Sequence, residues 1–200
     1  MTNETLIGPG FADPVFQSQG AFRAILFALA EPGTRQAVTE GIAPPEGLHV
    51  AAATALLTLA DYETPIWLPP ALRDGAAGAW LRFHCGAALV AEPGRAAFAV
   101  FDGLASAPAL ADFDAGTDQF PDRSATVIVH CAALEGGEAV TLSGPGVPGT
   151  RTIAPAGLRD GFWAEVAANS EAYPLGIDLL LCHADALIGL PRSTRIEGAF

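Results

Sequence analysis

The 200-residue chain contains no lysine, although ten arginines and 22 carboxylates give it a net charge of −12. A Walker A phosphate loop needs a lysine at the β- and γ-phosphates, and pyridoxal phosphate chemistry needs one for its Schiff base. Both are excluded for this chain acting alone. Nucleic-acid affinity depends on neutralising many phosphates, so an acidic chain without a basic run predicts no nucleic-acid partner.

Cysteine is also scarce, and the three present, Cys85, Cys131 and Cys182, are odd in number and widely spaced. This spacing indicates reduced thiols and no disulfide framework. Proline and glycine interrupt every apolar run before the roughly 18 residues that a membrane span needs. The first residues, MTNETLIGPGF, lack the basic and apolar regions of a signal peptide. We therefore expect a cytoplasmic protein without a membrane segment.

Half of the residues are apolar, which is enough to bury a sizeable core, and we expect one domain over residues 1–200. Asp13 can cap a helix that Pro14 begins, and large apolar residues recur at helical spacing until Pro32 and Gly33 end it. An Ala- and Leu-rich segment without Gly or Pro predicts a second, largely buried helix over residues 48–61.

Shorter β-prone runs bounded by Gly, Pro, Asp and Ser follow from residue 97 onward, and they predict strands in AAFAVFD, ATVIVHC, AVTLSG and IDLLLCH. Between the last two runs Leu158, Phe162, Trp163 and Val166 return to a period near 3.6, which predicts an inserted helix. The final runs, GIDLLLCH and ALIGLP, are separated by a short turn and predict a β-hairpin. The fold class is therefore α/β, a mixed sheet flanked by helices.

Three adjacent histidine and cysteine pairs occur, namely His84-Cys85, His130-Cys131 and Cys182-His183. If each pair lies on a strand, one member could point inward, and three such ligands could hold zinc. The spacing lacks the close paired ligands of dedicated zinc sites, and buried free cysteines are common, so we favour no metal. In the Gly-rich segment LSGPGVPG, Pro145 and Pro148 remove the N–H donors of an anion cradle, which favours a structural turn.

Two arginine-bearing segments are candidates for binding an anion. Arg82 lies two residues before His84 in LRFH, and Arg192 lies two residues before Thr194 in PRST, so each cation has a second polar side chain nearby. A phosphoryl or phosphonyl group is recognised by such donors. The alternative is that both arginines pair with the many carboxylates. Asp178, at a predicted strand end, either caps a turn or provides a buried carboxylate.

A series of local matches in the right order resembles the PhnH family over nearly the whole chain. They are Phe22-Arg23, Glu31-Pro32-Gly33, LLTLAD at 56–61, TPIWL at 64–68, LRFH at 81–84, Ala97-Phe98-Ala99, Gly116-Thr117, LSGPG at 142–146, PLGID at 174–178 and LPRST at 190–194.

The resemblance implies a fold like the large domain of pyridoxal-phosphate-dependent transferases without the cofactor lysine, and no cofactor of its own. It also implies a homodimer that joins PhnG, PhnI and PhnJ. That complex forms α-D-ribose 1-methylphosphonate 5-triphosphate from ATP and a phosphonate, with release of adenine. We expect an accessory subunit that is not catalytic alone. The alternative is a module that binds a phosphorylated nucleotide or a phosphonate in the vestigial cofactor cleft.

Overall fold

The computed structural model describes residues 7–38, 41–103 and 107–198, so the first part of the N-terminal segment, MTNETL, lies outside them. Helix α1 spans Pro14–Ala30, as predicted. It begins there because the Phe16 backbone N–H donates to Asp13 Oδ1 at 3.3 Å and proline occupies the first helical position.

Four more helices follow in the described ranges. The predicted second helix, α2, spans Val50–Leu59 and buries every residue from Ala51 to Leu56. The predicted inserted helix, α5, spans Phe162–Glu171. Helices α3 (Pro70–Arg73) and α4 (Ala76–Cys85) were not predicted. Short 3-10 helices cover Pro93–Arg95, Leu110–Asp112 and Pro121–Arg123.

Within the described ranges, ten strands form two sheets. They are β1 (Arg35–Ala37), β2 (Ile66–Trp67), β3 (Leu89–Val90), β4 (Phe98–Asp102), β5 (Thr126–His130), β6 (Val140–Ser143), β7 (Arg151–Ile153), β8 (Asp178–His183), β9 (Ala186–Leu190) and β10 (Arg195–Glu197). The larger sheet has the order β1-β9-β8-β5-β4-β2-β3, and the smaller has the order β10-β6-β7. Strands β8, β5, β4, β2 and β3 run parallel, whereas β9 and β1 are antiparallel to their neighbours. The mixed sheet and the β8-β9 hairpin are confirmed.

Both faces of the larger sheet are covered. In β5, Val127 and Val129 join one apolar cluster and Ile128 joins the other, because successive side chains point to opposite faces. Helices α1, α2 and α4 cover one face, while α5 and the smaller sheet cover the other. This arrangement explains why β8 is a continuous apolar run and not an alternating one.

The predicted strand AVTLSG is β6, which lies in the smaller sheet and not in the larger one. The Gly-rich segment after it forms the turn to β7, with positive φ at Gly144 and Gly146. The turn packs against the end of α1, where a Cβ on Gly146 would overlap the Ala30 carbonyl. The contact supports the structural interpretation of this segment.

Among the residues that the structure describes, no helix is long and apolar enough to cross a membrane.

Candidate functional site

Three histidines meet at the carboxyl ends of the parallel strands. His130 ends β5 and His183 ends β8, and the register pairs His130 with Cys182, so both rings reach the same edge. Helix α2 begins over that edge, since the Ala51 N–H donates to the Ala184 carbonyl at 2.9 Å, and His49 is its N-cap residue. Ligands of α/β sheets bind at this edge, which makes the histidine cluster (His49, His130 and His183) the first candidate site.

The three rings are in direct contact. The rings of His49 and His130 stack with centroids 4.2 Å apart and planes 14° apart, and His183 meets His49 edge-on at 5.7 Å. The Nδ1 atom of His183 lies 3.1 Å from the Cys131 carbonyl oxygen. Because a carbonyl only accepts, the Nδ1–H of His183 is the donor in this hydrogen bond.

Two of the three imidazoles, those of His49 and His130, favour the uncharged form. Burial lowers the pKa of His130 to about 3, and the neighbouring His49 lowers it in the same direction. Burial also lowers the pKa of His49, an effect that a hydrogen bond to the Cys182 backbone opposes and that His183 reinforces. Within the described ranges, His130 Nε2 and His49 Nδ1 are buried without a hydrogen-bond partner. Protonation of either ring is therefore costly in the folded protein.

The geometry does not suit a metal ion. A metal lies in the plane of each coordinating imidazole at about 2.0 to 2.1 Å from the nitrogen, and two nearly parallel stacked planes do not converge on one point. No group of three or more histidine, cysteine or acidic side chains able to hold a metal occurs in the described part of the chain. The zinc alternative is accordingly not supported.

Two of the three predicted histidine and cysteine pairs lie together, but His84-Cys85 does not join them. That pair ends helix α4, so placing it on a strand was wrong. Cys131 and Cys182 belong to the apolar clusters on opposite faces of the sheet. Burial raises the pKa of Cys85 to about 11 and that of Cys131 to about 12, and it raises that of Cys182 as well. These thiols are protonated at neutral pH and are poor nucleophiles.

His49 was not predicted as a site residue. It lies 81 residues from His130, and its only local signal is a histidine directly before an Ala-rich helix.

Of the predicted anion-binding residues, Arg82 and His84 lie near the end of α4. Arg82 is exposed. The hydrogen bond from Arg73 is the main cause that lowers the pKa of the Asp74 carboxyl, and the charge of Arg82 lowers it in the same direction. His84 Nε2 lies 3.0 Å from the Gly8 carbonyl oxygen, which Trp80 Nε1 also contacts at 2.9 Å. In this arrangement His84 fixes the segment that precedes α1.

Arg192 and Thr194 follow β9. The guanidinium of Arg192 donates to Asp178 from Nε at 3.1 Å and from Nη2 at 2.7 Å, and Nη1 donates to the Pro121 carbonyl at 2.6 Å. Asp178 therefore anchors the chain after β9. Thr194 is buried, and its hydroxyl is without a hydrogen-bond partner in the described residues.

The structure does not bring the two arginine segments together. Arg82 lies on α4, which precedes β3 at one edge of the larger sheet, whereas Arg192 follows β9 near the other edge. At the usual strand spacing β3 and β9 are about 24 Å apart. This separation does not favour one small anion in contact with both arginines.

A third feature is an apolar recess of about 290 Å³ between α5 and the 3-10 helix Leu110–Asp112. Its polar side chains are already engaged. Glu165 accepts two hydrogen bonds from Arg159 Nη2, at 2.7 and 2.8 Å, and one from the Leu110 N–H at 2.7 Å. Asn169 bridges the backbone N–H and carbonyl of Ile177. The recess therefore suits an apolar group and not a phosphate.

Exposed apolar side chains form the fourth feature. Helix α1 displays five of them, between 49% and 74% exposed, and we call this set the α1 outer face: Val15, Phe16, Phe22, Leu26 and Phe27. Large apolar patches on a protein surface mark contacts with partners.

The chain is similar in sequence to known proteins of phosphonate metabolism. Residues 9–197 match the family model described as bacterial phosphonate metabolism protein (PhnH). The chain is 41% identical over 198 residues to a Rhizobium meliloti (strain 1021) protein, alpha-D-ribose 1-methylphosphonate 5-triphosphate synthase subunit PhnH, with 98% of this chain and 99% of the relative aligned. It is 29% identical over 82 residues to HtxG of Stutzerimonas stutzeri, named as a provisional C-P lyase subunit, which covers 41% of this chain and 42% of that protein.

Proposed function

We propose, because the chain belongs to the PhnH family of bacterial phosphonate metabolism proteins, that it is an accessory subunit of a synthase for α-D-ribose 1-methylphosphonate 5-triphosphate. The 41% identity over nearly the full length of both chains carries this proposal. Because the alignment covers 98% of this chain and 99% of the relative, it supports the same subunit role for this chain.

The proposed reaction joins a phosphonate oxygen to the ribose of ATP at C1 and breaks the bond from that carbon to adenine, which leaves with a proton. Such a displacement needs a group that stabilises the developing charge or activates the nucleophile. In this chain Asp178 and Glu165 are engaged by arginines, the three thiols are protonated, and His130 is buried. These observations favour catalysis by another subunit.

The proposal also includes several more specific properties of the chain. They are a single domain over residues 1–200, cytoplasmic residence, a homodimer, and association with PhnG, PhnI and PhnJ. A fold derived from the large domain of pyridoxal-phosphate-dependent transferases is also part of it. The mixed seven-stranded sheet and the lack of lysine support that origin.

A second candidate function is the binding of a phosphonate or a phosphorylated nucleotide near Arg192. The observation in its favour is a surface recess of about 350 Å³ lined by Arg192, Ser193 and Tyr173. Each Nη of Arg192 carries a second N–H beyond those bonded to Asp178 and Pro121. Asp178 also lines the recess, and its charge opposes an anion.

Calorimetry with ATP and with methylphosphonate tests this second candidate. If Arg192 binds the anion, Arg192→Ala should weaken binding by about 1.5 to 3 kcal/mol, the usual scale of a charge-assisted hydrogen bond. Arg82→Ala and His84→Ala probe the other predicted segment in the same way. No heat with the wild-type chain would reject the binding function and leave the subunit role untouched.

Growth on methylphosphonate as the only phosphorus source tests the leading proposal. A strain without this chain should fail to grow, and a plasmid copy should restore growth. Normal growth of the deletion strain would contradict the subunit role.

A further inference from the structure

The α1 outer face runs as a stripe along one side of the helix. At 100° per residue, Val15, Phe22 and Leu26 lie within about 40° of one another around the helix. Phe16 and Phe27 lie roughly 110° to one side of these three, and Gln19 and Arg23 lie between the two groups. All five side chains are 49% to 74% exposed.

The opposite side of α1 packs into the core of the protein. Ile25 and Ala28 belong to the apolar cluster that α2 and the larger sheet form, and Ala21 is buried as well. The helix approaches β9 so closely that a Cβ on Gly189 would lie 2.6 Å from the Ala28 carbonyl. The outer face therefore takes no part in the core of this chain, and its five large apolar side chains are exposed to solvent.

The area of the stripe suits an interface. Aromatic side chains bury 150 to 250 Å² each and aliphatic ones less, so the three phenylalanines with Val15 and Leu26, all half to three-quarters exposed, offer on the order of 500 Å². Matched by an equal area on a partner, this gives about 1,000 Å², the smallest total area expected of a biological interface.

Charge indicates which partner fits. In a chain of net charge −12, α1 contains a single charged residue, Arg23, and no carboxylate. An antiparallel second copy that overlaps the whole stripe would place Val15 opposite Leu26 and Ser18 opposite Arg23. That arrangement leaves Arg23 without a carboxylate across the interface. A different chain with an apolar face and one carboxylate can cover the apolar side chains of the stripe and also form an ion pair with Arg23.

We propose that the α1 outer face is the docking surface for another subunit of the synthase, one that presents an apolar face with a carboxylate opposite Arg23. This inference rests on the proposed function, since it requires that the chain assemble with other subunits.

Capture of this chain by the tagged, co-expressed remaining subunits of the synthase tests the proposal. The perturbed variant is Phe22→Arg with Leu26→Arg, and the matched control is Tyr62→Arg with Phe83→Arg, which alters two apolar residues of similar or greater exposure outside α1. Thermal melts of each variant establish that it folds. The α1 variant should bind at least about tenfold more weakly, because central aromatic contacts dominate interfaces, while the control should bind like wild type.

A second pair of variants tests the charge. Arg23→Glu should weaken capture, and Arg95→Glu, the same charge change at an exposed residue outside α1, should not. Equal capture of the α1 variant and wild type would overturn the inference while the proposed function stands. A homodimer that the α1 variant abolishes without loss of capture would assign the face to a second copy and overturn it too. Failure of the folded wild-type chain to be captured would reject the proposed function itself.

Discussion

Replacing His130 with phenylalanine removes a buried imidazole from the histidine cluster and keeps an aromatic ring against His49. The wild-type ring is 8% exposed, and its Nε2 has no hydrogen-bond partner among the described residues. Its pKa falls to about 3 in the folded protein, from an ordinary value of 6.5. The substitution therefore isolates the effect of this one titration on stability.

The magnitude follows from linkage. Above pH 6.5 the imidazole is neutral in both the folded and the unfolded chain, so His130 adds no pH dependence there. Between pH 6.5 and about 3 only the unfolded chain takes up the proton, so the free energy of unfolding falls by about 1.4 kcal/mol per pH unit. From pH 7 to pH 5 the loss through His130 is about 2 kcal/mol.

Urea unfolding at pH 7 and at pH 5 measures this loss, provided that the slope with denaturant stays the same. His130→Phe should lose about 2 kcal/mol less than wild type between the two pH values. Thr54→Val is the control, because it changes a buried polar residue that does not titrate, and it should lose as much as wild type. If His130→Phe and wild type lose stability in parallel, the imidazole is not held neutral and the description of the cluster is wrong.

Three further predictions concern other parts of the chain. In thermal unfolding at pH 7, Thr54→Val should leave the free energy of unfolding unchanged or raise it by up to about 1 kcal/mol, because the buried Thr54 hydroxyl has no hydrogen-bond partner in the described ranges. A loss of stability of more than about 1 kcal/mol would instead reveal a hydrogen bond to that hydroxyl. Asp178→Asn should cost about 1 to 3 kcal/mol in urea unfolding by weakening the contacts with Arg192, and unchanged stability would show that the ion pair is dispensable. The purified protein should lack the absorbance of a pyridoxal aldimine, since no lysine can form one, and a yellow colour lost on borohydride reduction would refute this.

Features with a local cause were predictable from the sequence. Asp13 and Pro14 determine where α1 begins, and the turn at Ala184 and Asp185 joins the β8-β9 hairpin. In each case the residues that cause the feature are neighbours in the chain, so their pattern is visible without knowledge of the fold.

Features that depend on residues far apart in the chain could not be predicted from the sequence. Strand β6 pairs with β7 nearby but also with β10, more than 50 residues later, so its place in a separate sheet leaves no local signal. The histidine cluster joins His49 to His130 and His183 only because α2 begins over the ends of β5 and β8. Helix α4 was missed because Gly75 and Gly78 at its start weaken the helical pattern.

Adenine release from ATP and methylphosphonate is the most direct measurement of the proposed role. We expect the remaining synthase subunits with this chain to release adenine, and the same subunits without it to lose most of that activity. The chain alone should release none. Robust release by the chain alone, or undiminished release in its absence, would contradict its assignment as an accessory subunit.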